Sequence, residues 1–581
     1  MIRTSNSGLP ASLLAVDNGM EAFEWPQEEA SRAKLCISPD YESDDHNGET
    51  KCFIRYDPEH KALLVVAEES QDIIDVIDPR DIVGAAVEVK LFSGTEELRS
   101  TKPASQNDLA GSSPVDADET ETDSGSGYLA SPLGIFQPLQ EDTEKIFCGW
   151  DNAPLSDIPF DTQAAAVFTI YAYPRHDPSR SSSNVYGIGS AKRRSPTLPT
   201  NKDPSKLGHR EAAHRRFQVA PAEDFLSLTH LVQAIRKLSK IPEQRRLLVV
   251  CNPMSGRQKG LSICDTIVVP VLEQAGIDHD VFNTTHARHA EERMKHGQED
   301  EMLDISQYDG VIAIGGDGIV HEILRGLSSR SDFKEICHKL KVGVIGAGTG
   351  NGLAKSLAHF SEQECAPLDS IFLAAKGKSS WMDLANYTTQ SADHLSFLTF
   401  SWAIIADIDM ESECIRYFGS LRFDLWAVWR VIALRKYRAR FSYLPATSQN
   451  IKAAIIDMPV LNDPVPQNWV SSEDDFYLFW ASQVTHAAEK VHHAPPCKLH
   501  DGVFHIIIVR NHVSRYQMAR ILLALETGAH VSLDGLEIVE CVAYRLEPIT
   551  PGSFNDLDGE VIESGPIQGQ VLPASIQAYH L

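Results

Sequence analysis

The strongest constraint on what this chain can fold into is a set of apolar runs that each end in glycine. They are "RRLLVVCNP" from Arg245, "YDGVIAIGGDG" from Tyr308 and "KVGVIGAGTGNGLA" from Lys341, separated by segments with helix-like patterning. Runs apolar on both faces belong in a parallel sheet covered by helices on each side. In such sheets ligands sit beyond the carboxyl ends of the strands, and all of these glycine turns fall at that end. The expected fold class is therefore α/β, with a Rossmann-like parallel domain over residues 241–378. After Asp383 the texture changes to antiparallel-looking alternation, interrupted by one long helix expected over Leu421 to Ala439. This predicts an antiparallel β-rich, β-sandwich-like domain over residues 379–581 that closes over the first.

Residues 1–240 read as an additional N-terminal regulatory region. Strand-like runs such as "ALLVVAEE", "DIVGAAVEVKLF" and "AVFTIYAYP" are followed by a helical pattern with Phe225, Leu228, Val232 and Ile235 at three- and four-residue spacing. Polar, small-residue inserts at 98–131 and 178–209 are expected to be disordered, because they hold few side chains able to enter a core. Strands closed by one helix resemble a pleckstrin-homology-like module split by insertions. An unspecialised extension that packs on the rest of the chain explains the pattern equally well.

A formal charge of -27 argues against broad electrostatic binding to nucleic acid or anionic membrane, so any phosphate must be held by a local site. Ten cysteines without CxxC pairs suit reduced thiols in a cytoplasmic protein. No apolar run reaches about 18 residues, which leaves peripheral contact as the expected relation to a membrane.

Each glycine turn carries chemistry. In "CNPMSGRQKG", Asn252, Ser255, Gly256 and Lys259 follow a strand and can face a phosphate, although an ordinary strand-to-helix turn uses similar residues. In "GAGTGNGLAKSL", Gly346, Gly348, Thr349, Gly350 and Asn351 precede a helix and form an anion cradle that is neither a Walker A loop nor a dinucleotide fingerprint. In "GGDG", Gly315, Gly316 and Gly318 surround a carboxylate, Asp317, where an anion would be expected. A carboxylate beside bound phosphate is costly unless it acts on something else, such as the proton of an acceptor hydroxyl. Capping the helix that begins near Ile319 is a second role open to Asp317.

The ordered motifs "NPMSG", "GGDGIVHEILRGL" and "GTGNGLA" resemble the diacylglycerol-kinase catalytic family of lipid kinases. The segments "SWAIIADIDMESECIRYFGSLRFD", "VRNHVSRYQMARILLALETGAH", "VAYRLEP" and "LDGEVIESGPIQGQV" narrow the resemblance to sphingosine kinases, over roughly Arg245 to Gln570. The resemblance implies transfer of the ATP γ-phosphate to the primary hydroxyl of a sphingoid base, with ATP and Mg2+ required and residues 379–581 serving the lipid substrate. It implies that Asp317 is the base, and that Asn252, Ser255, Gly256, Thr284, Gly315, Gly316, Gly318, Gly346, Gly348, Thr349, Gly350 and Asn351 line the ATP site. Arg416 and Arg422 match two arginines on the phosphates, a role that suits a planar, always-charged guanidinium. Asp558, Gly559 and Glu560 match a C-terminal return to the nucleotide, although "LDGE" alone would read as a hairpin turn. In the acidic run Asp407, Asp409, Glu411 and Glu413, Asp409 matches the carboxylate that holds the substrate amine. The chain departs from the family at "THAR" after Thr284 and at Arg325, where asparagine is common. A diacylglycerol or ceramide kinase would share the glycine loops, and a catalytically silent membrane-binding adaptor would keep them only as structure.

Two further features stand outside these motifs. His486, His492, His493, Cys497 and His500 are possible zinc donors, but their spacing matches no finger and the adjacent "APP" reads as a loop, so metal binding is disfavoured. The helix "LRFDLWAVWRVIALRKYRARF" is basic and amphipathic, which suits either a membrane surface or, as favoured here, a wall of the acyl-chain pocket.

Overall fold

The computed structural model describes residues 35–37, 50–57, 61–67, 73–91, 164–175, 209–219, 225–242, 245–295, 304–419, 421–452 and 456–580. The inserts expected at 98–131 and 178–209 lie outside the described residues, His209 excepted.

The predicted parallel strands form, joined by a fourth, Asp278–Asn283. Arg246–Cys251 lies between Asp278–Asn283 and Gly310–Gly315, and Lys341–Gly346 lies beyond the last of these, all parallel. Gly310–Gly315 is buried at every position, and the strands on either side of it are buried along most of their length. That is the condition the uninterrupted apolar runs satisfy. The register pairs Ile314 with Cys251, Gly315 with Gly346 and Cys251 with Asn283, so every glycine turn leaves the sheet at one edge.

The antiparallel part is built from long strands, including Ser379–Thr388, Tyr437–Pro445, Val470–Ser482, Phe504–Arg510 and Leu536–Pro548. Its interior is aromatic, with Tyr387, Phe400, Trp402, Phe441, Phe479 and Tyr544 buried against one another. The strand Ile567–Tyr579 joins the two halves. It runs antiparallel to Ser379–Thr388 and Leu536–Pro548, then parallel to Lys341–Gly346, so a single 14-stranded sheet passes through both.

The expected long helix is shorter than its pattern. It covers Leu421–Ile432, and Tyr437–Pro445 is a strand. Around Tyr437 the burial alternates in steps of two, with Tyr437, Ala439 and Phe441 inside and Arg438 and Arg440 outside, paired with Glu473. Strand pairing on both sides overrides a residue run that is also acceptable in a helix.

At the N-terminal end, seven antiparallel strands form a separate sheet, followed by the helix Phe225–Leu238. This sheet rests on the parallel domain. Val83, Tyr171 and Tyr173 enter the same core as Leu247, Val249 and Ile312. Polar contacts reinforce the seam: the buried Arg210 guanidinium stacks 3.5 Å over Phe372 and donates to Asp81, and Lys376 Nζ donates to the carbonyls of Ile82 and Ser239.

Candidate active site

The three loops meet glycine to glycine. A Cβ on Gly348 would fall 2.4 Å from the Gly316 Cα, and one on Gly256, at φ +59°, would fall 2.3 Å from the Ala347 carbonyl oxygen. Ser255 Oγ lies where a Cβ on Gly315 would come within 3.1 Å of it. Backbone bonds fix the alignment, with Asn252 N–H donating to Ile314 and Ala347 N–H to Gly315. Thr284 is buried beside them, its N–H donating to the Cys251 carbonyl. The predicted phosphate-loop residues are thus brought together at one edge of the sheet.

Within the cradle, two side chains turn inward. Asn351 adopts φ +56° and closes a ring with Gly348, accepting from its N–H at 2.8 Å and donating to its carbonyl at 3.1 Å. Asn252 Oδ1 accepts from Met254 N–H. The surface left for an anion is backbone, together with the exposed Thr349.

Asp317 does not cap its own helix. The helix Asp317–Ser328 begins after Gly316 without a side-chain cap. The Asp317 carboxylate instead accepts from Gly352 N–H at 2.9 Å and Leu353 N–H at 3.1 Å, the start of the neighbouring helix Gly352–Phe360. A carboxylate at a helix N-terminus is held by both hydrogen bonds and the helix dipole. Burial nevertheless raises its pKa above the ordinary carboxylate value, against those two N–H bonds and with help from the charge of Asp558. This gives a fixed carboxylate with an increased affinity for a proton, which is what a general base requires.

The acidic run divides by helical spacing. Asp407 and Glu411, four apart on Ile404–Glu411, face inward: Asp407 accepts from the Tyr437 hydroxyl at 2.7 Å, and Glu411 accepts from Trp426 Nε1 and from the buried Arg430. Asp409 and Glu413 share the other side with Arg422, which donates to Glu413 and stands 4.0 Å from Asp409. Arg422 is therefore ion-paired with Asp409 and Glu413. The side chain of Arg416 lies outside the described residues.

Sequence patterning missed Asp556. It is 6% exposed, its Oδ2 accepts from Ser401 Oγ at 2.6 Å, and its Oδ1 is buried without a hydrogen-bond partner. Burial and the charge of Asp409 push its pKa up to about 8, while burial pushes Asp409 up to about 6. Two carboxylates that disfavour each other's charge make a site that gains from a cation. The only signal was the alternation "NDLD" inside a short strand, which also fits a plain turn.

Asp558, predicted at the nucleotide, is anchored by neighbouring backbone. Its carboxylate accepts from Ser396 Oγ and from the N–H groups of Phe397, Leu398 and Thr399, all within 3.2 Å. It also pairs with His321 at 3.5 Å, one turn along the helix from Asp317. Burial lowers the His321 pKa, but the hydrogen bond and charge of Asp558 outweigh it and the net shift is upward. The exposed Gly559 and Glu560 form the tip of this hairpin.

Arg325 also has a local explanation. With Arg288 and Lys295 it surrounds the buried carboxylate of Glu291, whose pKa falls to about 2, chiefly through the Arg288 hydrogen bond. An asparagine at this position would leave two cations on that carboxylate.

Comparison with known proteins agrees with this geometry. The family described as "Diacylglycerol kinase catalytic domain" matches residues 246–387, and "YegS C-terminal NAD kinase beta sandwich-like domain" matches residues 473–580. Human sphingosine kinase 1 is 33% identical over 57% of this chain and 90% of its own length. Sphingosine kinase 2 of Arabidopsis thaliana is 29% identical over 56% of this chain and 71% of its own. Human sphingosine kinase 2 is 26% identical over 71% of this chain and 81% of its own. The chain belongs to the sphingosine kinase family.

Proposed function

We propose that Asp317 takes the proton from the primary hydroxyl of a sphingoid base while the three glycine loops hold the γ-phosphate of ATP, and that Asp409 and Asp556 receive the amine of that base. The activity is that of an ATP-dependent sphingoid-base kinase. The observation that carries the residue roles is the anchored Asp317 carboxylate at the meeting point of the loops. Its neighbours Asp558, Asp556 and Asp409 are linked by successive charge interactions, so the acceptor base and the cation site belong to one acidic wall.

The phosphate-holding role of Asn252, Ser255, Gly256, Thr284, Gly315, Gly316, Gly318, Gly346, Gly348, Thr349, Gly350 and Asn351 is supported by their convergence at one sheet edge. Arg416 and Arg422 are proposed as the cations facing the phosphates, with Arg422 exchanging Glu413 for a phosphate oxygen when nucleotide enters. Asp558 is proposed as a positioning residue that holds His321 and Glu560 at the nucleotide edge. Mg2+ supplies neutralisation of the β- and γ-phosphates when bound.

The helix Leu421–Ile432 supports peripheral membrane contact. Among the described residues no helix is long and apolar enough to cross a membrane. Phe423, Trp426, Ala427 and Val431 pack inward, while Leu425, Val428, Trp429 and Ile432 are exposed, Val428 at 62% and Trp429 at 54%. Both of its arginines are ion-paired: Arg430 is 5% exposed and paired with Asp407 and Glu411, and Arg422 is paired with Glu413. The outward face is therefore an apolar plane beside the Asp409 helix, placed to meet a bilayer that delivers the lipid. The N-terminal sheet with its closing helix supports a pleckstrin-homology-like module in the regulatory region, residues 1–240.

Incubating the purified protein with labelled ATP and a panel of sphingoid bases, ceramide and diacylglycerol tests the reading. Label is expected in the free sphingoid bases. Labelling of diacylglycerol or ceramide alone would overturn the amine assignment.

A further inference from the structure

The described residues contain two groups of three donors close enough to share a metal ion, and one of them crosses the seam between the two halves of the catalytic region. His359, in the last turn of Gly352–Phe360, meets His486 and His492 from the loop after Val470–Ser482. The sequence places these residues far apart, so the spacing of His486, His492, His493, Cys497 and His500 gave no hint of the grouping. Of that set, His493 is a core residue fully buried with its Nε2 3.2 Å from the Trp480 carbonyl oxygen, and Cys497 belongs to the other group of donors.

The geometry of the histidine group is built by the backbone. A tight turn closed by Ala487 and Val491 brings His486 and His492 to the same side, their rings stacked 4.3 Å apart and parallel to within 3°. The His359 ring approaches both, at 5.2 and 5.1 Å between centroids. One donor nitrogen from each ring lies within 4.8 Å of the others. A tetrahedral zinc ion with Zn–N near 2.0–2.1 Å needs nitrogens about 3.3 Å apart. To reach that spacing the stacked rings must turn toward each other, and His359 is the exposed member of the group.

An independent observation points to a ligand. His492 Nε2 is buried and has no hydrogen-bond partner, while the same ring is engaged by the Thr527 backbone. A ring nitrogen held by backbone, with the opposite lone pair unused, is the usual arrangement around a metal-bound imidazole. Burial also lowers the proton affinity of all three rings, keeping them in the neutral, ligating form. Lys355, one turn before His359, adds to this effect.

We propose that His359, His486 and His492 bind one Zn2+ ion, with the fourth position open to water, and that the ion clamps the phosphate loop. The clamp follows from the neighbouring bonds: His486 N–H donates to Ser356 Oγ at 3.0 Å, and Glu489 N–H donates to the Gly350 carbonyl at 2.7 Å. Fixing His486 and His492 to His359 therefore fixes the loop to the helix that also holds Asp317. Three imidazoles with an open position suit zinc in preference to calcium or magnesium, which take oxygen ligands.

The test uses the full chain, stripped of metal with a chelator and titrated with Zn2+ and with Co2+ as a spectroscopic substitute. One equivalent is expected to bind, with a tetrahedral Co2+ spectrum lacking a thiolate charge-transfer band, and with a rise in thermal midpoint. His359→Gln, at an exposed position, and His492→Gln are each expected to weaken Zn2+ binding by about 100-fold or more, since losing a ligand exceeds losing its supporting partner. His505→Gln, in the other group with Cys497 and Asp501, is expected to leave the stoichiometry unchanged. Absence of equimolar binding, its survival in both His359→Gln and His492→Gln, or its loss in His505→Gln would each overturn the proposal. These readouts do not depend on kinase turnover.

Discussion

Gly316 and Gly348 touch through their backbones: a methyl group on Gly348 would lie 2.4 Å from the Gly316 Cα. Two glycine loops from different strands are thereby locked face to face. Gly348→Ala must separate them, and is expected to raise KM for ATP and lower kcat by about tenfold or more each, because misplacement of about 1 Å carries such costs. Gly318→Ala, next to Asp317, has no atom within 4 Å of its new methyl and is expected to fold normally. Steady-state kinetics and thermal unfolding of the pair check this, and an unaffected KM for ATP in Gly348→Ala would count against the loop assignment.

Asp317→Asn keeps an acceptor for only one of the Gly352 and Leu353 N–H groups, which bond separate carboxylate oxygens, and removes the charge and the proton affinity. Turnover is expected to fall about 10²- to 10⁴-fold, the usual contribution of a general base, with KM for ATP little changed. The lost hydrogen bond at the helix start is expected to cost about 1 kcal/mol of stability, partly offset by relief of the burial penalty on the charge. Retention of normal kcat would remove Asp317 from the base role.

The Asp409 and Asp556 pair gives a pH signature. Their pKa values are raised to about 6 and about 8, so the pair holds a proton near neutrality and releases it as pH rises. An ammonium ion competes with that proton, so KM for the sphingoid base is expected to fall as pH rises from about 6 to about 8. Because folded-state pKa values raised above the unfolded value favour the folded state only at low pH, this pair's contribution to stability is present below about 4 and is lost as pH rises through about 8. Asp556→Asn is expected to flatten both profiles while preserving the Ser401 bond. A wild-type pH profile in Asp556→Asn would show that the pair is not the amine site.

Val428→Glu combined with Trp429→Glu places charges on the outward face of Leu421–Ile432 without entering the core. Sedimentation with phosphatidylcholine vesicles is expected to drop about tenfold, while turnover of a short-chain, water-soluble sphingoid base is unchanged. A loss of turnover with the soluble substrate instead would assign this face to the acyl pocket.

Legibility in the sequence followed the range of the interactions involved. The parallel strands were readable because each is buried on both faces and ends in glycine, a one-dimensional signal. Asp317 was readable as an oddity, but its partners Gly352 and Leu353 were not, since they belong to another loop brought alongside by strand register. The same limit hid Asp556 beside Asp409, and His359 beside His486 and His492. The helix beginning at Leu421 was overextended for a different reason. Residues 437–441 alternate correctly for a strand, but tryptophan- and arginine-rich sequence before them continues a helical pattern until tertiary pairing with Glu473 and its neighbours decides.

The strand Ile567–Tyr579 has a consequence for how the chain is made. Val342 pairs with Ala578, so the parallel sheet lacks a strand until the ribosome has passed residue 579. The glycine loops have all been synthesised by residue 352, yet the sheet that carries them gains this strand only with Ile567–Tyr579. The growing chain would then carry its glycine loops for more than a hundred residues without the strand that fastens both halves together.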